Sequence, residues 1–368
     1  MKSLGRLIIH LILAINVLFI ALMLLSAYSP YIEPDKHPIQ SCLGLLFPVF
    51  ILINISFFIF WIIVQYKLAL FTFIGFACCY TQIRTYIPVN FSNSDPPKEC
   101  LKVLSYNVMG FNNLKLTKGE NPILAYMKDS KADIICIQEY AYSQDKRYVT
   151  QKKIEQYLQA YPYKNIQNIG EKESTNKIAC YSKYPILSST VLRYKSAYNG
   201  SVRYELKVKN DTLTLINNHL ESNKLTKEDK VIYEEMINSP EAQKVKSGSK
   251  LLITKLAEAS AIRALQARKI HNEITSSKHK YIIVCGDFND TPISYTHRII
   301  AKGLKEAFTE SGTGLGISYN QNKFFFRIDN ILISKNFKAY KCTVDHSIKD
   351  SDHYPIWCYI SKQQLKPI

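Results

Sequence analysis

Eight side chains between positions 107 and 353 have the types that hold cations and move protons: Asn107, Glu139, His219, Asp287, Asn289, Asp329, Asp352 and His353. Carboxylate and amide oxygens suit a hard divalent cation. An imidazole titrates near neutral pH and serves as an acid or a base. No Ser or Cys stands among them as a nucleophile, so attack by water is the chemistry they fit. Taken singly, each has a plain structural explanation. Residues 287–292, Asp-Phe-Asn-Asp-Thr-Pro, have the composition of a turn. Taken together, nearly all stand at the end of a short apolar run, where a charged group is costly unless it is paired or bound to metal.

Those runs are the elements that must position them. Strand-forming segments are expected at 101–108, 133–138, 178–182, 202–208, 212–218, 281–285, 328–334 and 356–360. Residues 121–130 suit a helix. A longer helix is expected over 251–275, with apolar positions at Leu252, Leu256, Ala259, Ile262, Leu265 and Ile270. The polar stretch 229–250 before it reads as a helix, a lid or a mobile insert. This alternation is α/β, with enough strands for two packed sheets flanked by helices.

The segments LSYNV, IICIQE, NNHLES, IIVCGDFNDTP, RIDNILIS and SDHYPI, in that order, resemble the endonuclease/exonuclease/phosphatase family over residues 99–361. The resemblance implies a four-layer α/β sandwich of two mostly antiparallel sheets with helices outside, and a site at the edge where strand ends converge. It implies that Glu139 binds Mg²⁺, or Mn²⁺ in its place, with Asn107 beside it on the metal or the phosphate. Asp352 completes the metal shell or supports His353. Asp287 and Asn289 orient the attacking water and hold the phosphate. Asp329 orients the catalytic His353, and His219 is the second histidine, a candidate acid for the leaving group. Arg203 is a further candidate phosphate contact. In several relatives a polar or acidic residue can face that second histidine; here the stretch is Asn176-Lys177-Ile178-Ala179, without a carboxylate.

The implied substrate is a phosphodiester, in nucleic acid by the nuclease-like site residues, or alternatively in a phospholipid headgroup or an inositol phosphate. A tethered binding module without activity is the remaining alternative, and the intact motifs speak against it. Of 47 basic and 30 acidic side chains, six and three lie in the first 98 residues, which leaves the remainder at net +14. That balance favours a polyanion as partner. The nine cysteines lack Cys-x-x-Cys spacing, so neither a zinc site nor a disulfide framework is expected. No protein partner can be read from the sequence.

The first 89 residues read as membrane. Apolar runs at 7–28, 43–64 and 68–86 predict three transmembrane helices, and the first is too long for a signal-peptide core. Lys2, Arg6 and Lys67 place the N-terminus in the cytoplasm. Three spans then put the catalytic domain on the far, periplasmic or extracellular, side. Residues 90–98 read as a linker and 362–368 as a tail.

Overall fold

The computed structural model describes residues 2–91, 94–171, 175–223, 225–238, 241–321 and 324–363. The chain begins with helices: α1 (Lys2–Tyr28), α2 (Pro38–Ser41), α3 (Phe47–Val64), α4 (Ala69–Cys78) and α5 (Tyr80–Tyr86). Two stretches, Leu4–Tyr31 and Pro38–Val64, are long and apolar enough to cross a membrane. The third expected span is not straight: Tyr66–Cys78 and Tyr80–Tyr86 meet at 66°. The apolar run stops at Cys79, and α5 carries Thr81, Gln82 and Arg84 instead of hydrocarbon. One polar cluster ties α1, α3 and α4 together. The Asn16 side-chain oxygen accepts from Trp61 at 2.9 Å and Thr72 at 2.8 Å, while its amide donates to Asn54 at 3.2 Å. Buried polar pairs of this kind bind apolar helices to one another.

Among the described residues the remainder holds twelve strands: β1 (Leu101–Asn107), β2 (Ile134–Gln138), β3 (Tyr163–Asn168), β4 (Lys177–Ser182), β5 (Ile186–Leu192), β6 (Gly200–Val208), β7 (Asp211–His219), β8 (Tyr281–Asp287), β9 (Leu304–Glu306), β10 (Asp329–Ser334), β11 (Phe337–Val344) and β12 (Ile356–Lys362). Helices follow in between: α6 (Met109–Asn113), α7 (Pro122–Asp129), α8 (Gln151–Tyr157), α9 (Lys227–Asn238), α10 (Ala242–Thr275), α11 (Tyr295–Ala301) and α12 (Ala307–Ser311). The strands form two six-stranded sheets, ordered β11-β12-β1-β2-β4-β3 and β5-β6-β7-β8-β10-β9. Each sheet has one parallel pair at its centre, β1 with β2 and β7 with β8, and is otherwise antiparallel.

Side chains such as Val103, Cys136, Cys180, Leu215, Ile283 and Ile331 fill the space between the sheets. The opposite faces of the same strands are also apolar. Leu104 and Tyr106 pack under Leu124, Met127 and Ile154, while Ile216, Val284 and Leu332 pack under Ile270, Ile274 and Ile300. Burial on both faces explains why the central strands read as continuous apolar runs. The result is the expected four-layer sandwich. The long helix α10 starts at Ala242, inside the segment left open between helix, lid and insert. Leu265, expected on its apolar face, is 58% exposed.

The membrane-type helices are docked on this sandwich. A Cβ at Gly44 would lie 2.0 Å from the Ile293 carbonyl oxygen, so only glycine permits that approach. Ile293 itself packs among Met23, Ala27, Phe47 and Ile51. Arg268 pairs with Asp35 at 2.9 Å, Arg298 donates to the Pro30 carbonyl at 2.8 Å, and the buried Arg327 donates to the Thr85 carbonyl.

Candidate active site

Register brings the polar strand ends to one edge. In the parallel pairs Asn107 lies beside Gln138 and His219 beside Asp287, so both sheets end their central strands at the same place. Asp329 opens β10 directly opposite Asp287. Glu139 follows β2, and His353 precedes β12. Gly286 has φ +123°, and a Cβ there would lie 2.0 Å from the Asn218 carbonyl oxygen. Glycine therefore lets β8 run close against β7 and carry Asp287 into the edge.

The backbone around the site is held in the left-handed region. Glu139 has φ 54° and Asn289 φ 51°, and six consecutive residues from Met109 to Leu114 have φ between 46° and 64°. Such non-glycine residues cost about 1–3 kcal/mol each and gather where function demands a particular aim. Glu139 is fixed from both sides. Its carbonyl accepts from Gly110 at 3.0 Å, and the next amide, Tyr140, donates to the Lys177 carbonyl at 3.0 Å.

The side chains form a connected set. His353 Nδ1 is 2.7 Å from Asp329 Oδ2, and its Nε2 lies 3.6 Å from Asp287 Oδ2. The Asn289 backbone N–H donates to Asp287 at 2.8 Å and its side-chain amide to the same carboxylate at 3.2 Å. Asn107 Nδ2 donates to Glu139 Oε1 at 3.0 Å and to Asp287 Oδ2 at 3.1 Å. As it stands, Asn107 therefore presents its donor to the site and not its carbonyl oxygen, which accepts from Met109 at 3.2 Å. His219 Nε2 lies 3.5 Å from Glu139 and 3.8 Å from Asp287. Its buried Nδ1 has no protein partner among the described residues, as the lack of a carboxylate near Lys177–Ala179 leads one to expect. Ser351 secures the last loop, donating to the Asn107 carbonyl at 2.8 Å and accepting from His353 N at 3.3 Å.

Glu139, His219, Asp287, Asn289, Asp352 and His353 line one cleft of about 570 Å³, with Asn107 and Asp329 bonded directly behind them. Arg203 is not there. It lies mid-strand on the outer face of β6, paired with Glu205 at 2.9 Å and Glu273 at 3.1 Å. Alternation along the strand turns Val202 and Tyr204 inward and Arg203 out toward α10. Two cleft residues were not anticipated. Arg263 of α10 is buried in the wall, with Asp290 at 3.2 Å and the Glu221 carbonyl at 2.8 Å. Its position seven residues after Leu256, on the apolar stripe of α10, was the available signal. Tyr319 sets its ring 5.1 Å from that of His353.

Electrostatics separates the two histidines. Burial opposes charge on His353, but Asp329 and Asp287 outweigh it and hold its pKa well above the usual imidazole value. Burial pushes His219 below that value. Burial, reinforced by Asp329, pushes Asp287 up to about 6. Burial also raises Glu139, against the Asn107 amide. Four carboxylates around two imidazoles repel one another unless a cation joins them, so the donor set fits a hard divalent metal. Asp287, Asp329 and His353 present ligand atoms within 4.8 Å of one another, but the Asp329–His353 hydrogen bond already occupies two of them.

A two-sheet sandwich with an acidic and histidine site at its strand-end edge defines a class of metal-dependent hydrolases of phosphate esters. A family model described as Endonuclease/Exonuclease/phosphatase family matches residues 104–353, and the chain belongs to that family. Residues 9–86 match a separate model, a domain of unknown function. A search of curated proteins gives no match. Among solved structures, the human Nocturnin catalytic domain with bound sulfate anion aligns with TM-score 0.51 at 16% identity, covering 73% of this chain and 97% of that one. D. rerio TDP2 complexed with single strand DNA product aligns with TM-score 0.50 at 17% identity, covering 72% and 100%. At these identities the likeness is one of fold.

Proposed function

We propose that this chain is a membrane-anchored phosphoesterase, dependent on Mg²⁺ or on Mn²⁺ in its place, that cleaves a phosphate ester by direct attack of water. The convergence of the His353–Asp329 pair, the Asp287–Asn289 pair and Glu139 on one cleft carries the reading. Glu139 would hold the cation, with Asp352 as second carboxylate. When bound, the cation neutralises charge on the phosphate. Asp287 is oriented by two hydrogen bonds from Asn289 and takes the proton of the attacking water. The Asn107 amide, whose two N–H groups donate to Glu139 and Asp287, holds both carboxylates in their aim. His353, its Nδ1–H held by Asp329, presents Nε2 as the charged partner of the phosphoryl oxygens. The lowered pKa of His219 and its unpartnered Nδ1 argue against the acid role that the resemblance implies for it.

The docking contacts support a domain opposite the N-terminus. They fall at Pro30 and Asp35 after α1 and at Thr85 near the end of α5, away from Arg6 and Lys67. A panel of DNA, RNA, sphingomyelin and inositol phosphates, assayed with Mg²⁺ and with chelator, tests the activity. Cleavage of at least one substrate that chelator abolishes is expected. Folded protein inert on all four, or turnover indifferent to chelator, would count against the reading.

A further inference from the structure

The cleft does not end at the catalytic side chains. It runs on to Leu45, Leu46, Pro48 and Val49, at the start of α3, the helix that closes the apolar stretch Pro38–Val64. Tyr233 of α9, Leu256 of α10 and Phe324 add further apolar lining, with Tyr233 and Phe324 stacked at 4.1 Å. Two of these lining side chains are open to solvent: Leu46 and Val49 are 45% and 49% exposed. One cavity thus has an acidic and imidazole end and a hydrocarbon end, and the hydrocarbon end is made by a segment suited to lipid. Its size falls in the range of about 300–1,000 Å³ that takes a small ligand. The wall is a fixed part of the site, since Gly44 and Ile293 lock it against the loop that follows Asp290.

Resting on the phosphoesterase reading above, we propose that the substrate is a lipid phosphate ester that enters from the bilayer, its hydrocarbon chain between Val49 and Leu256 and its phosphate at Asp287 and His353. Water adds to phosphorus, and the P–O bond to the lipid or headgroup alcohol breaks. The leaving oxygen takes up a proton, so the products are a phosphate and an alcohol. A nucleic-acid strand fits this cleft poorly. Such a ligand is held by Lys and Arg along its phosphates. Among the described cleft residues, Arg263 is the basic side chain besides the histidines, and Asp290 already neutralises it. The net +14 of the domain lies elsewhere on its surface.

The test uses the full-length protein in phosphatidylcholine vesicles with Mg²⁺. Phosphatidic acid and sphingomyelin, supplied separately in the bilayer, distinguish a monoester from a diester substrate. Bis(p-nitrophenyl) phosphate and single-stranded DNA serve as soluble phosphodiesters. The expected result is cleavage of one lipid in preference to both soluble esters. Val49→Trp and Leu256→Trp, which fill the slot, should each lower the ratio of lipid to soluble kcat/KM by about 10–200-fold, the range over which an apolar pocket discriminates. A soluble ester cleaved in preference to both lipids would overturn the inference and leave the phosphoesterase reading standing. An unchanged ratio in both variants would overturn it equally. Wild-type protein inert on every ester would instead remove the reading beneath it.

Discussion

At the scale of single residues, Glu139 and His353 separate two kinds of contribution. Glu139→Gln keeps the shape and removes a charge that the cation would meet. Mg²⁺ affinity and turnover are expected to fall together, as a metal titration beside a rate assay will show; a rate that falls with Mg²⁺ affinity untouched would move the ligand elsewhere. The eight residues were legible because each stands at or beside the end of an apolar run, and a polar or charged group in that position needs a reason. Two finer points were not legible. The donor face of Asn107 depends on a contact with Asp287, 180 positions away. Arg203 looked available for phosphate, but strand alternation turns it outward, where Glu205 of the same strand and Glu273 of α10 pair with it, and the α10 partner, 70 positions away, has no local signal.

At the scale of elements, the eight strands expected from sequence are present, and the four unforeseen ones, β3, β5, β9 and β11, are the four sheet edges. The reason is physical. A central strand is buried on both faces and reads as an apolar run, whereas an edge strand has one neighbour and tolerates polar residues. β3 is Tyr-Lys-Asn-Ile-Gln-Asn, and β11 carries Lys338, Tyr340 and Lys341 within four residues, with a register shift after Tyr340. The link between α5 and the sandwich makes a pH prediction. Burial pushes the Glu306 carboxyl up, but Arg327 at 3.3 Å and His297 at 3.6 Å reverse this and hold it at about 2, against 4.5 for a free glutamate. A carboxyl depressed in the folded state contributes stability that is full above about pH 4.5 and is lost as pH falls toward 2. The shift corresponds to ~3 kcal/mol. Glu306→Gln should therefore lower Tm near neutral pH and flatten the acid limb between those values; an unchanged acid limb would show that Glu306 does not supply it.

At the scale of the whole molecule, fixed contacts join the acidic edge of the sandwich to a bundle of helices, two of them long and apolar enough to cross a membrane. If three spans precede the domain, a compartment-sensitive reporter fused after Lys98 will be active only on the side opposite the N-terminus. Activity confined to the cytoplasm would mean an even number of crossings, with the bent pair α4–α5 lying within one leaflet. The central claim, that this edge hydrolyses phosphate esters, is tested most directly by one comparison: Mg²⁺-dependent phosphodiester turnover by purified full-length wild type and His353→Ala, with Mg²⁺ affinity measured on both. The account predicts a loss of about 10²–10³-fold in rate, the usual cost of removing one group that stabilises charge in the transition state, with Mg²⁺ affinity retained. Undiminished turnover by a folded His353→Ala protein would contradict it.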